Sequence, residues 1–231
     1  MTIAHRIGLL LFPAVTQLDL AGPYEVFSRM PGAAVHLVWK DTEPSRSEWG
    51  LELRPDTRFE ECPDLDVLCI PGGPGAFELL ADEPVLAAIG SLAPRSRLVA
   101  SVCTGAFLLG AAGLLAGKRA TTHWASRELL REFGATPAAG RIVVDGDLVT
   151  SGGITAGIDL ALHVVARLAG EAQAKEIELA MEYDPAPSFA CGNPETAEPA
   201  VVGRLRERIA ARQQRRAALV RAAAKRLVGF G

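Results

Sequence analysis

A chain of 231 residues that is 49% hydrophobic and 22% charged, with net charge −3, has apolar material for one globular core and is neither disordered nor fibrous in composition. So near-neutral a balance gives no overall field to hold nucleic acid or a membrane surface, which leaves small-molecule chemistry as the leading expectation. The cysteines at 62, 69, 103 and 191 have neither C-x-x-C nor framework spacing, so they read as free thiols of a cytoplasmic protein rather than zinc ligands or disulfide partners.

From the N-terminus, residues 6–12 form an unbroken apolar run, the mark of a strand covered on both faces and too short for a signal peptide. The pattern recurs at 34–39, 66–71, 97–102 and 141–144. Helical periodicity fills the intervals at 20–30, 76–92 with a break near Pro84, 104–115, 126–133 and 154–168. Such alternation predicts an α/β fold with a mainly parallel sheet and helices on both faces. Two small hairpins are expected as decoration, at 50–59 and around Asp145-Gly146-Asp147. Residues 98–117 carry no charge over the length of a bilayer span. The glycines at 105, 110, 113 and 117 read instead as a buried strand entering a buried helix, and no membrane contact is expected. After Tyr183, prolines mark an extended segment, 185–197, between a core of about residues 1–184 and a basic helix over 198–231. That tail holds nine Lys or Arg against two acidic residues. Its apolar positions Val202, Leu205 and Ile209, then Leu219, Ala223 and Leu227, favour a helix packed on the core or at a dimer edge over a nucleic-acid contact. The whole chain reads as a single domain.

In an open parallel sheet, ligands gather beyond the carboxyl ends of the strands. There the chain places Asp19 after the first strand, Pro71-Gly72-Gly73-Pro74-Gly75 after the third, Cys103 after the fourth, Thr121-Thr122-His123-Trp124 after an expected fifth, and Gly152-Gly153 before a helix. Cys103, within Ser101-Val102-Cys103-Thr104-Gly105, has the small-residue spacing of a nucleophile elbow. Its position at a helix start is expected to lower its thiol pKa. Asp19 suits either an N-cap or, beside a thiol, a proton carrier. The Gly72 and Gly73 N–H groups are expected either to close a turn or to face developing negative charge. Of four histidines only His123 is well placed, as a base or as a packing residue. Paired metal-ligand and phosphate-loop spacings are missing, so neither a metal nor a nucleotide cofactor is expected.

The motifs Asp19-Leu20-Ala21-Gly22-Pro23, Ile70-Pro71-Gly72-Gly73, Ser101 to Gly105, Ala120 to Trp124 and Gly152 to Asp159, in this order, resemble the DJ-1/PfpI superfamily and, within it, the isonitrile hydratase branch. Thr104 directly after the cysteine and Asp19 as the acidic partner, in place of His and Glu, resemble that branch rather than the protease-like or deglycase-like ones. Ser151 departs from a glycine of the branch. The AraC-type regulators that carry this domain need further helix-turn-helix sequence, and only a short tail follows residue 190 here. The resemblance implies a doubly wound flavodoxin-like core, a homodimer, no cofactor, and hydration of an isonitrile to an N-substituted formamide. Cys103 would be the nucleophile, with Asp19 and Thr104 beside it, Gly72, Gly73, His123 and Trp124 at the substrate, and an otherwise apolar pocket. Glyoxalase or deglycase chemistry and a redox-sensing regulatory role are the alternatives.

Overall fold

A computed structural model describes residues 4–228. The chain opens with β1 (His5–Leu10), α1 (Gln17–Ser28) and β2 (Ala33–Trp39), then the short strands β3 (Ser45–Arg46), β4 (Glu52–Leu53) and β5 (Thr57–Arg58). It continues through β6 (Leu65–Ile70), α2 (Pro74–Glu78), α3 (Glu83–Leu92), β7 (Ser96–Val102) and α4 (Ala106–Ala111). Next come β8 (Arg119–Ala120), a 3-10 helix over Trp124–Phe133, β9 (Thr136–Pro137), β10 (Ile142–Asp145) and β11 (Leu148–Ser151). Three helices close it: α5 (Ala156–Ala169), α6 (Glu171–Ala180) and α7 (Pro199–Val228).

Seven strands form one sheet in the order β10-β11-β7-β6-β1-β2-β5, parallel throughout except for the β10/β11 pair. This is the doubly wound α/β arrangement that alternating strand and helix dictate. Helix contacts fall into two groups, α1 with α5 and α6, and α2, α3, the 3-10 helix and α7 around α4. Ile7, Leu9 and Leu10 of β1 and Val67, Leu68 and Ile70 of β6 are fully buried, as expected of strands covered on both faces. The chain leaves β1 towards β2 on one side and returns to β6 on the other, so the strand order reverses between β1 and β6. A crevice opens there beyond the strand ends.

Several expectations are corrected. The first hairpin spans β3 and β4 rather than 50–59, turning at Gly50 (φ +89°), while β5 joins the main sheet parallel to β2. The Asp-Gly turn links β10 and β11, which extend the sheet rather than decorate it, and 141–144 is therefore an antiparallel edge strand. The strand before Thr121 is β8, two residues paired with β9 outside the main sheet. The helix expected over 104–115 is a 3-10 turn followed by α4 and stops at Ala111, before Gly113 (φ +80°) and Gly117 (φ +72°) take left-handed backbone. The segment 126–133 belongs to a 3-10 rather than an α-helix, and α6 had no counterpart among the expected elements. Among the described residues no helix is long and apolar enough to cross a membrane.

Candidate active site

The strand ends of β1, β6, β7 and β11, four neighbours in the sheet, carry the chemistry-bearing segments together. β7 ends extended at Val102, and the next residue, Cys103, turns to φ +53°, a conformation that strains any non-glycine residue by about 1–3 kcal/mol. Two bonds over-determine this bend: Cys103 N–H donates to Gly152 O at 3.1 Å, and the Thr122 hydroxyl donates to Cys103 O. A small residue two positions on is required because a Cβ at Gly105 would lie 2.1 Å from Ile70 O. Gly153 is needed for the same kind of reason, since a Cβ there would sit 2.8 Å from the Cys103 sulfur.

Asp19 lies in the first turn of α1, three residues past the N-cap Thr16, so it is not the capping residue. It is fully buried. Gly72 N–H donates to its Oδ2 at 3.1 Å, whereas Oδ1 is buried without a hydrogen-bond partner. Gly73 N–H donates to Thr104 Oγ1 at 2.9 Å. The two glycine N–H groups are thus committed to holding Asp19 and Thr104 and do not point free donors at a substrate. The N–H that interacts with the sulfur is that of Thr104.

Burial pushes the Asp19 carboxyl up to about 7, held back chiefly by the Cys103 thiol and then by Gly72 N–H. Burial, and after it the negative charge of Asp19, drives the thiol well above its ordinary value. This reverses the expected lowering by a helix terminus: α4 has only 6 residues, and the loss of water around a buried sulfur outweighs so short a dipole. The thiol and the carboxyl group interact directly, and Cys103 opens on a cavity of about 100 Å³.

His123 lines that cavity. Its Nδ1 accepts from Ala125 N–H at 3.2 Å, capping the turn that follows, and burial followed by Arg216 and Arg212 lowers its pKa to about 4, so the ring is neutral at physiological pH. Trp124 is outside the cavity, stacked on His123 in a neighbouring groove. The expectation of an otherwise apolar pocket also fails. Arg212, Gln213 and Arg216 of α7, with Glu48, Thr16 and Thr104, share its lining with the apolar Ile209, Ile154, Pro74 and Gly73. Sequence reasoning gives Ile209 as a packing position but not Arg212, Gln213 and Arg216 as lining residues, because a tail rich in Arg reads as solvated, although the i, i+3, i+4, i+7 spacing of the four is a usable signal. Among the described residues no group of three or more His, Cys, Asp or Glu is placed to hold a metal ion.

A doubly wound α/β protein with a buried cysteine on a strained elbow beside a carboxyl group is what fold and site define together. The DJ-1/PfpI family model matches residues 5–167, and the chain belongs to that family. It is 52% identical over 97% of its length to an isonitrile hydratase of Pseudomonas putida, 99% of which is covered. The crystal structure of a ThiJ/PfpI family protein from Pseudomonas syringae superposes with a TM-score of 0.91 at 38% identity, over 94% of this chain and 90% of that one. The HTH-type transcriptional regulator GbdR of Pseudomonas aeruginosa is 29% identical over 71% of this chain, a match covering 46% of that regulator.

Proposed function

We propose that this protein hydrates isonitriles to N-substituted formamides, with Cys103 as nucleophile and Asp19 as proton carrier. The observation that carries the reading is the buried Cys103 thiol, which lines a cavity and interacts directly with the fully buried carboxyl group of Asp19. Near-full-length similarity to a hydratase of this name supports it. As an isonitrile R–N≡C arrives, the thiol proton passes to Asp19 and the sulfur attacks the terminal carbon. A C–S bond forms, and Asp19 returns the proton to that carbon, giving the thioimidate R–N=CH–S–Cys103. Water then adds across C=N, with Asp19 taking one proton and relaying it to nitrogen. The tetrahedral R–NH–CH(OH)–S–Cys103 expels the sulfur as the hydroxyl proton returns to it, leaving R–NH–CHO and the free thiol. Thr104, held by Gly73, presents its N–H to the sulfur anion formed in the first and last steps.

Incubation with methyl isocyanoacetate, following formamide formation by NMR, tests this reading. Cys103→Ala is expected to abolish turnover while leaving the far-ultraviolet dichroism unchanged, and full activity in that variant would rule out the covalent route. Consumption of methylglyoxal instead of the isonitrile would favour glyoxalase chemistry. A homodimer and a cytoplasmic location belong to the same reading, supported by four free thiols and by exposed Trp49 and Leu51 on the hairpin tied to the start of α1. Sedimentation velocity is expected to show a species of twice the chain mass, and a monomer at micromolar concentration would refute the dimer.

A further inference from the structure

One face of α7 remains unexplained by hydration of a neutral alkyl isonitrile. Arg212, Gln213 and Arg216 all line the Cys103 cavity, and each is a hydrogen-bond donor. Two other arginines of the helix are paired, Arg215 with Glu78 at 2.7 Å and Arg221 with Glu132 at 3.1 Å, whereas Arg204 and Arg208, which have no such partner, are exposed and do not line the cavity. Among the described residues neither Arg212 nor Arg216 forms an ion pair or hydrogen bond. Arg216 lies half-buried over Phe77, its guanidinium carbon 4.5 Å from the ring centroid, close enough for its charge to act on Cys103. Gln213 Oε1 accepts from Ser126 Oγ at 3.0 Å, and its Nε2 is buried with no partner. The acidic group on this wall is Glu48, whose Oε2 accepts from Thr16 Oγ1 at 2.9 Å, and His123 is neutral at physiological pH. Two guanidinium charges therefore face one carboxylate at the mouth, and a buried amide donor waits beside them.

Leaving a buried donor unsatisfied is costly, whereas a carboxylate matches both the guanidinium fork and the amide. We propose that the pocket selects compact isonitriles bearing a carboxylate, which Arg216 and Gln213 Nε2 hold, with Arg212 at the rim, while Cys103 meets the isonitrile carbon. The proposal rests on the hydratase reading and adds a substrate class to it.

Isocyanoacetate and its methyl ester carry the same reacting group and differ in charge, so their kcat/KM ratio on the full chain reads the wall and cancels effects on the thiol. The acid is expected to be preferred by about tenfold or more. Arg216→Gln is expected to bring the ratio close to one, and Arg216→Lys to retain part of it. Arg215→Gln, on the paired face, is expected to leave the ratio unchanged. An ester used as well as the acid, or a ratio indifferent to Arg216→Gln, overturns the proposal, and turnover of the ester would still uphold the hydratase reading. If neither isonitrile is consumed, that reading fails, and the anion wall is judged by calorimetry with N-formylglycine. Binding that Arg216→Gln weakens about tenfold sustains the wall, and no binding overturns it.

Discussion

Cys103 and Asp19 share one desolvated space, and the consequence is that they titrate as a pair rather than as two independent groups. In the proposed mechanism the state able to react holds one proton between them, because the thiol must lose a proton that Asp19 can accept and return. Below the Asp19 value, near 7, both groups are protonated and the sulfur cannot be activated. The thiol's own value is raised well above the ordinary one, so the pair keeps its single proton far into the alkaline range. The pH profile of kcat/KM is therefore expected to rise along one limb centred near 7 and then stay level past pH 9. Asp19→Asn should erase the limb and lower kcat/KM by about 10²–10⁴. A profile that begins to rise only above pH 9 would assign control to free thiol ionisation instead. The identities of both residues were legible in the sequence, since small neighbours two positions either side of a cysteine and an acid inside an apolar run are local signals. The direction of the thiol's shift was not. A dipole argument uses only the adjacent helix, whereas burial of the sulfur comes from β11, the 121–124 segment and α7, all remote in sequence.

α7 shows how an element can be recognised correctly and its role still be missed. Its helical spacing is plain in the sequence, and the expected stripe is Val202, Leu205 and Ile209, then Leu219, Ala223 and Leu227, of which Ile209 and Ala223 are buried as expected. In the fold, however, Val220, Ala223, Ala224 and Ile209 are the buried positions, and Leu227 is exposed. The C-terminal part of the stripe is shifted by one position because the helix packs against α4 and the 3-10 helix while also lining the Cys103 cavity. Two interactions compete to explain why it stays docked. Exposed pairs such as Arg215–Glu78 contribute about 0–1 kcal/mol each, whereas a fully buried valine side chain contributes about 1.5–3 kcal/mol. Apolar burial wins. Val220→Ala is expected to lower the unfolding free energy by about 2 kcal/mol and Glu78→Gln by less than about 1 kcal/mol, both read by denaturant titration. A larger loss from Glu78→Gln would mean that charge, not packing, fixes the helix over the site. α6 went unread for a related reason. Only Ala174 and Ile177 of its 10 residues are buried, too few to impose a periodic pattern.

For the molecule as a whole, the site exists because the winding reverses between β1 and β6, bringing residues 19, 72, 103 and 153 to one crevice. Alternating runs made the parallel sheet and the ends of its strands legible. Where the sheet turns antiparallel was not, because a short edge strand and a parallel one carry the same apolar residues. Assembling this crevice withdraws a carboxyl group from bulk solvent, and the whole fold bears the consequence. Asp19 has an ordinary value of 3.8 and a folded value of about 7, so between those limits the native chain retains a proton that the unfolded chain has lost. Stability contributed by this group therefore falls as pH rises from about 4 to about 7, by about 4 kcal/mol, and stays lower above. His123, with a folded value of about 4, acts in the opposite direction, losing stability as pH falls through the acidic range, but it is common to wild type and variant and cancels between them. Asp19→Asn keeps an oxygen for Gly72 N–H and has nothing to titrate. The two proteins are accordingly expected to unfold with similar free energies at pH 4 and to diverge towards pH 8, where the variant is the more stable. A gap that does not widen over that range would mean that solvent reaches the carboxyl group, and the coupled thiol and acid of the proposed mechanism would lose their physical basis.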